Sequence, residues 1–342
     1  MKILKLFDLG ILRAIDSPMN NVTNALLTSS MALIAAATAA CTPTESDQSV
    51  AIAKSGDSVV ISTSTLVSGG FGCGGLATPG DGPLYVSNDR GATFARLELD
   101  TIDAPVTALT AHQQAFYALR DRLGGYSIET SIDGQRWTTV ASGTDHGYNL
   151  VTSGTTLAMM HDQGLLVSRD GRTWTDRALP AQMYNPVFTV AGASIVVADH
   201  SGVLYVADAA NHWTTLTLPG VTQLHRLATI EGDAVALVHA TRGSAVEQPF
   251  LVQVNLEAPE MSSFIAVDES ISDLLDAPAA TLFNDGSAAA DRTQLATRAA
   301  RTDAFVAGAV DGNDVVLLHD HSITISHDGG RSFDAAIELP LR

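Results

Sequence analysis

With 342 residues, 46% of them hydrophobic, the chain is long enough for one large domain or two ordinary ones and can bury a substantial core. It carries 19 basic and 37 acidic residues, a net charge of -18, and beyond residue 40 the balance is 16 to 35 with Lys54 as the one remaining lysine. Such a body repels phosphate backbones and anionic lipid surfaces, which excludes nucleic acid as a partner and leaves a membrane only through an anchor.

In chain order, residues 1–40 read as an export signal: Lys2, Lys5 and Arg13 precede an apolar stretch from Ala25 to Ala40 that Thr28, Ser29 and Ser30 interrupt and that is short for a membrane span. The run Thr38-Ala39-Ala40-Cys41 resembles a bacterial lipobox, which implies lipidation at Cys41. It departs from that pattern by having Thr38 where Leu is usual and Asp8 and Asp16 in the leader. Plain cleavage after Ala39, at the A-x-A site of Ala37 and Ala39, and an uncleaved anchor are the alternatives. Residues 41–49 then form a flexible tether, and the domain proper spans 50–342. The only other cysteine is Cys73; it is a lone thiol when Cys41 is lipidated, and the two can pair as a disulfide when it is not.

A short pattern then recurs along the chain: SNDRGATF from Ser87 to Phe94, SIDGQRW from Ser131 to Trp137, SRDGRTW from Ser168 to Trp174 and SHDGGRSF from Ser326 to Phe333. Each copy follows a strand-like run (LYVS, IETS, LLVS, ITIS), and a degraded copy, LYVADAANHW, ends on Trp213. The pattern resembles the Asp box, or BNR repeat, of sialidases, sortilin-type receptors, xyloglucanases and photosystem II assembly factors. Its chemistry is that of a turn staple. The hydroxyl of Ser87, Ser131, Ser168 or Ser326 and the carboxylate of Asp89, Asp133, Asp170 or Asp328 hold backbone N–H groups. Gly91, Gly134, Gly171 or Gly330 supplies a backbone angle that a side chain resists. Phe94, Trp137, Trp174 or Phe333 folds back into the hairpin. The aspartates lack the clustered ligand set of a calcium loop, so no metal is expected at these turns.

The box aromatics are separated by 43, 37 and 39 residues, and the remaining 120 residues to Phe333 hold two further periods whose boxes have eroded. A period near 40 with several short strands predicts an all-β chain, a β-propeller of seven blades of four antiparallel strands. Segments such as PVTALTAHQQAFYALR and VFTVAGASIVVADH read as inner hairpins, and the sixth unit, Ser262 to Ala300, is the least strand-like.

In a four-stranded meander the turns alternate between two edges, so the boxes lie opposite the blade-to-blade connections, and the box-free rim is where binding residues are expected. The connections supply Asp145, His146, Tyr148, Tyr184, Asn185, His225, Arg226, Glu260, Arg301 and Asp303. The second-to-third strand turns add Arg120 to Arg122, His161, Asp162, Asp199, His200 and His319 to His321, and a Gly-rich insertion from Ser68 to Gly82 belongs to the same rim. Among these, Tyr148, Tyr184, Asn185, His225, Arg226, Glu260 and Asp303 are the ligand-binding candidates.

No nucleophile elbow, zincin, phosphate-loop or EF-hand signature is present, no cofactor is expected, and His319 with His321 find no third ligand. The function class expected is a non-catalytic binding or assembly propeller in the cell envelope, periplasmic or on the cell surface, holding a protein or glycan. The alternative that the resemblance implies is a glycoside hydrolase of sialidase or xyloglucanase type. The chain lacks the R-I-P motif and arginine triad of the first, and it has no spare Trp beside Asp145, Glu260 and Asp303 for the second.

Overall fold

The computed structural model describes residues 44–68, 80–97, 105–122, 124–183, 186–230, 233–241, 247–266 and 305–341. They form 24 strands in six four-stranded antiparallel sheets, each built from consecutive strands. The first sheet is β1 (Thr44–Ser55), β2 (Ser58–Ser68), β3 (Gly80–Ser87) and β4 (Ala95–Leu97); the second is β5 (Val106–His112), β6 (Ala115–Arg122), β7 (Gly125–Ser131) and β8 (Thr138–Gly143). The third is β9 (Gly147–Ser153), β10 (Thr156–His161), β11 (Gly164–Ser168) and β12 (Trp174–Ala178); the fourth is β13 (Val187–Ala191), β14 (Ser194–Ala198), β15 (Val203–Ala207) and β16 (Trp213–Thr217). The fifth is β17 (Val221–Ile230), β18 (Asp233–Ala240), β19 (Gln248–Gln253) and β20 (Ser263–Ala266), and the C-terminal sheet is β21 (Phe305–Asp311), β22 (Asp314–His319), β23 (Ser322–Ser326) and β24 (Ile337–Glu338). By contacts the chain divides into Ser46–Leu66 with Thr78–Arg342, and a smaller unit of Met1–Glu45 with Val67–Ala77. Nearly all of the strands, and the seams between the sheets, belong to the larger unit.

In the first four sheets the inner strands are near-continuous apolar runs because both faces are buried, and successive side chains point to opposite faces. In the first sheet Ala51, Ala53, Val60, Leu84 and Val86 pack on Val106, Leu109, Phe116 and Ala118 of the second. The alternate residues Ile52, Val59, Ile61 and Tyr85 pack on Ala307, Val316, Leu318, Ile323 and Ile325 of the C-terminal sheet. The second sheet meets the third through Tyr117, Leu119, Leu157 and Met159. The third meets the fourth through Ala158, Met160, Phe188 and Val190, and the fourth meets the fifth through Val196, Leu204, Leu224 and Val238. Meandering sheets stacked face to face in chain order, with the first packed on the last, make a β-propeller. The first and C-terminal sheets therefore meet, a contact that the strand pattern alone left open.

Two expectations change. Residues 41–49 do not form a tether throughout: β1 starts at Thr44, and Ser49 is buried with its hydroxyl donating to the Asp320 carbonyl at 3.2 Å. The sixth unit does not begin at Ser262 either, because Ser263–Ala266 is the outer strand of the fifth sheet. The rest of that expected sixth unit, residues 267–300, lies outside the described residues.

Candidate functional site

The box turns close the third-to-fourth strand hairpins. At the first, the Ser87 hydroxyl donates to Asp89 at 2.7 Å and accepts from the Gly91 N–H at 2.8 Å, while the Thr93 N–H and hydroxyl donate to the Asp89 carboxylate at 2.9 and 2.6 Å. Asp133 and Asp170 accept pairs of backbone N–H groups in the same way, and Asp328 accepts the N–H and hydroxyl of Ser332. Hydrogen bonds from Thr93 and Ser87 pull Asp89 down to about 2, and Asp133, Asp170 and Asp328 are likewise held below the usual carboxylate range by their turn donors. The degraded copy keeps the logic with other residues: Asp208 accepts the N–H groups of Ala210 and His212, and Asn211 takes the positive φ of 67°. In the fifth sheet Asn255 replaces the aspartate and accepts the N–H groups of Glu257 and Ala258 ahead of the short 3-10 helix Pro259–Met261.

The box glycines do more than relax the turn. A Cβ on Gly134 would sit 2.7 Å from Val60 of the first sheet, one on Gly171 would fall 1.7 Å from the Tyr117 hydroxyl of the second, and one on Gly91 would fall 2.5 Å from Ile325 of the C-terminal sheet. These three staples are thus also wedges against the neighbouring sheet. With their carboxylates committed to the turn, the box aspartates have little left to offer a ligand.

On the opposite rim the second and third sheets bring a group of polar side chains together. Asp121, at the β6–β7 turn, accepts the Gly147 N–H at 3.3 Å and lies 3.1 Å from His146 Nδ1. Asp162, at the β10–β11 turn, accepts the His146 N–H at 3.2 Å and the Tyr148 hydroxyl. Beneath them the His161 ring is 4% exposed, with Nδ1 2.9 Å from Asp145 and Nε2 3.3 Å from Asp176. A neutral imidazole can donate to only one of those two carboxylates. The Tyr126 ring lies 6.0 Å from His161. Burial, followed by the charges of Asp145 and Asp176, raises the Tyr126 pKa. The hydrogen bond from Tyr148 lowers Asp162 and raises the Tyr148 phenol. Among the described residues Tyr148 is also one of the few large apolar side chains left open to solvent, at 56% exposure.

No protein-family model matches the chain, and no curated protein sequence is similar to it. Among solved structures it is similar to YCF48 bound to a D1 peptide, at 12% identity over 84% of this chain and 80% of that one, with a TM-score of 0.45. It is also similar to streptogramin B lyase, at 11% identity over 85% and 83% with a TM-score of 0.46. A third likeness is to the dihydro-heme d1 dehydrogenase NirN, at 13% identity over 84% of this chain and 56% of that one, with a TM-score of 0.42. These are likenesses of fold, and the propeller assignment rests on the sheet order and the packing of one sheet on the next.

The other candidates fall in different places. His225 and Arg226 sit in β17, where a bulge between Leu224 and Arg226 interrupts its pairing with β18. The His225 ring meets His239 edge-on at 4.6 Å, and His200 Nδ1 lies 2.9 Å from the Leu224 carbonyl. That group occupies the same rim at the seam of the fourth and fifth sheets. Glu260 does not belong to the rim: it lies in the 3-10 helix between β19 and β20, on the box-bearing edge. Counting periods misplaced it because the fifth box has no Ser-x-Asp to mark its turn. Tyr184, Asn185, Asp303 and Cys41, with Arg301, Cys73 and most of the Gly-rich insertion, lie outside the described residues. Asp176, Tyr126 and His239 were not singled out from sequence, since each sits within a strand, where polar alternation carries no mark of function. Among the described residues no three His, Cys, Asp or Glu side chains converge as metal ligands.

Proposed function

We propose that this chain is a non-catalytic binding propeller of the Asp-box type, displayed in the bacterial cell envelope, that holds a protein or glycan on its box-free rim at the seam of the second and third sheets. The observation that carries the reading is Tyr148: an aromatic ring 56% exposed, its hydroxyl fixed by Asp162 and flanked by carboxylates and histidines that the connection and two turns bring together. A rigid ring of this kind offers contact area to a sugar face or an apolar side chain at little entropic cost, and the surrounding acids favour cationic neighbours. Lipidation at Cys41 would place the propeller on the envelope, in keeping with the leader's composition.

A photo-crosslinking residue at the exposed neighbour Asn149, with one at the box-edge residue Ile132 (80% exposed) as control, tests the site in living cells with Tyr148 intact. Adducts confined to position 149, and lost on Tyr148→Ala, are expected. Equal adducts at both positions, or none at 149, would refute the assignment. Metabolic palmitate labelling that persists in a Cys41→Ser variant would remove the anchor.

A further inference from the structure

Neighbouring sheets along the chain are joined covalently by the connections between them, but the first and C-terminal sheets are each made of contiguous strands and share no ladder. Among the described residues no strand pairing crosses this seam, so side chains hold it. At its box-bearing end lies Lys54, the one lysine beyond residue 40, with its side chain 1% exposed. Its ammonium is 2.9 Å from Asp314 and 3.9 Å from Asp311, and it donates to the Gly56 carbonyl. Asp311 in turn accepts the Gly56 N–H at 2.6 Å, and the other oxygen of Asp314 is 2.8 Å from His327 Nδ1. Burial works to raise the Asp314 carboxyl, but the hydrogen bonds from His327 and Lys54 outweigh it and hold it below its ordinary value. Farther along the seam, Tyr85 donates to the Pro340 carbonyl at 3.3 Å and Ser49 to that of Asp320.

We infer that Lys54 is the latch of the ring: the ion pair of its buried ammonium with the half-buried Asp314 fixes the first and C-terminal sheets in register, and the molecule opens first along this seam when the pair is broken. The physical reason is asymmetry. An apolar seam tolerates slippage, whereas an ammonium removed from water is acceptable only where a carboxylate meets it, so every misaligned or parted arrangement that keeps Lys54 buried is penalised.

The lysine is its own probe. Reductive methylation of the folded chain, with free lysine added as internal standard, should modify Lys54 at least about a hundredfold more slowly than the standard. Asp314→Asn should raise that rate on the order of a hundredfold. Hydrogen exchange in the same variant should rise in β1 and β22 while β6 and β10, at the second-third seam, keep their protection. The double variant Lys54→Met, Asp314→Leu should restore protection of β1 and β22, because a dry pair needs no partner. If Asp314→Asn does not fold, the milder Asp311→Asn is read in the same way, with a smaller rise confined to the same strands. Methylation of Lys54 at the rate of the standard in the unaltered protein overturns the inference. So does a charge-removing variant that leaves β1 unchanged or loosens every seam alike.

Discussion

The wedge role of the box glycine can be separated from its conformational role by comparing Gly134→Ala with Gly154→Ala. Both glycines have positive φ, 71° and 56°, so both alanines incur the left-handed penalty of roughly 1–2 kcal/mol and both gain the same few tenths from a stiffer unfolded chain. They differ in what the new methyl meets. At 154 there is nothing within 4 Å, whereas at 134 it meets Val60 Cγ2 at 2.7 Å and Val86 Cγ1 at 3.0 Å, both side chains being buried in the first-second seam. Overpacking of that kind costs about 1–3 kcal/mol, so Gly134→Ala should lose that much more stability than Gly154→Ala. Urea unfolding with unchanged slope gives the two midpoints. Adding Val60→Ala to Gly134→Ala should recover part of the loss, a non-additivity that a purely conformational penalty cannot produce. Equal shifts for the two glycine variants, or strict additivity with Val60→Ala, would refute the wedge.

Carboxylates held below their unfolded pKa contribute stability that is complete above pH ~4 and is lost as the pH falls through their folded values. Since Asp89 drops from 3.8 to about 2 and the other box aspartates shift in the same direction, the thermal midpoint should fall steeply between pH ~4 and ~2; a flat profile there would contradict the staple chemistry. Burial lowers His112 and His319 below 6.5, so the unfolded chain binds protons first and a shallower decline should begin as the pH falls through that value; His112→Phe, if tolerated, should flatten it. Trp137 donates its indole N–H to the Gly134 carbonyl at 2.9 Å, while the buried Trp174 N–H has no partner among the described residues. Trp137→Phe should therefore cost about 1 kcal/mol more than Trp174→Phe in the same melts.

How far each feature was legible in the sequence depends on how it is encoded. The boxes are local: Ser, Asp, Gly and an aromatic within eight residues specify one turn by side-chain-to-backbone bonds, so four copies were readable directly and the fourth sheet's degraded copy through Trp213. The inner hairpins were equally plain, because strands buried on both faces leave long apolar runs broken only by their turns. Erosion defeated the reading at the fifth sheet, where Asn255 and Ser262 do the work of the staple with different spacing. The Ser262 hydroxyl accepts the Asn255 N–H at 3.0 Å across a turn that no Ser-x-Asp announces. The rim cluster was half legible. Asp121, Asp145, His146, Tyr148, His161 and Asp162 lie at turns and connections that topology alone assigns to one edge, but which of them touch depends on the seam between two sheets.

That dependence explains why the two edges diverge in chemistry. On the box edge each Asp-box aspartate is satisfied within its own turn, so the box can be repeated from sheet to sheet and is readable as a period. On the opposite rim the contacts run between sheets: His146 reaches back to Asp121 and onward to Asp162, and His161 ties Asp145 of the connection to Asp176 of the outer strand β12. Groups satisfied by neighbours in another sheet need not repeat, and each seam is free to acquire its own set, as the His200, His225 and His239 group at the fourth-fifth seam illustrates. The periodic edge thus keeps the sheets in place, while the polar contacts of the aperiodic rim differ from one seam to the next.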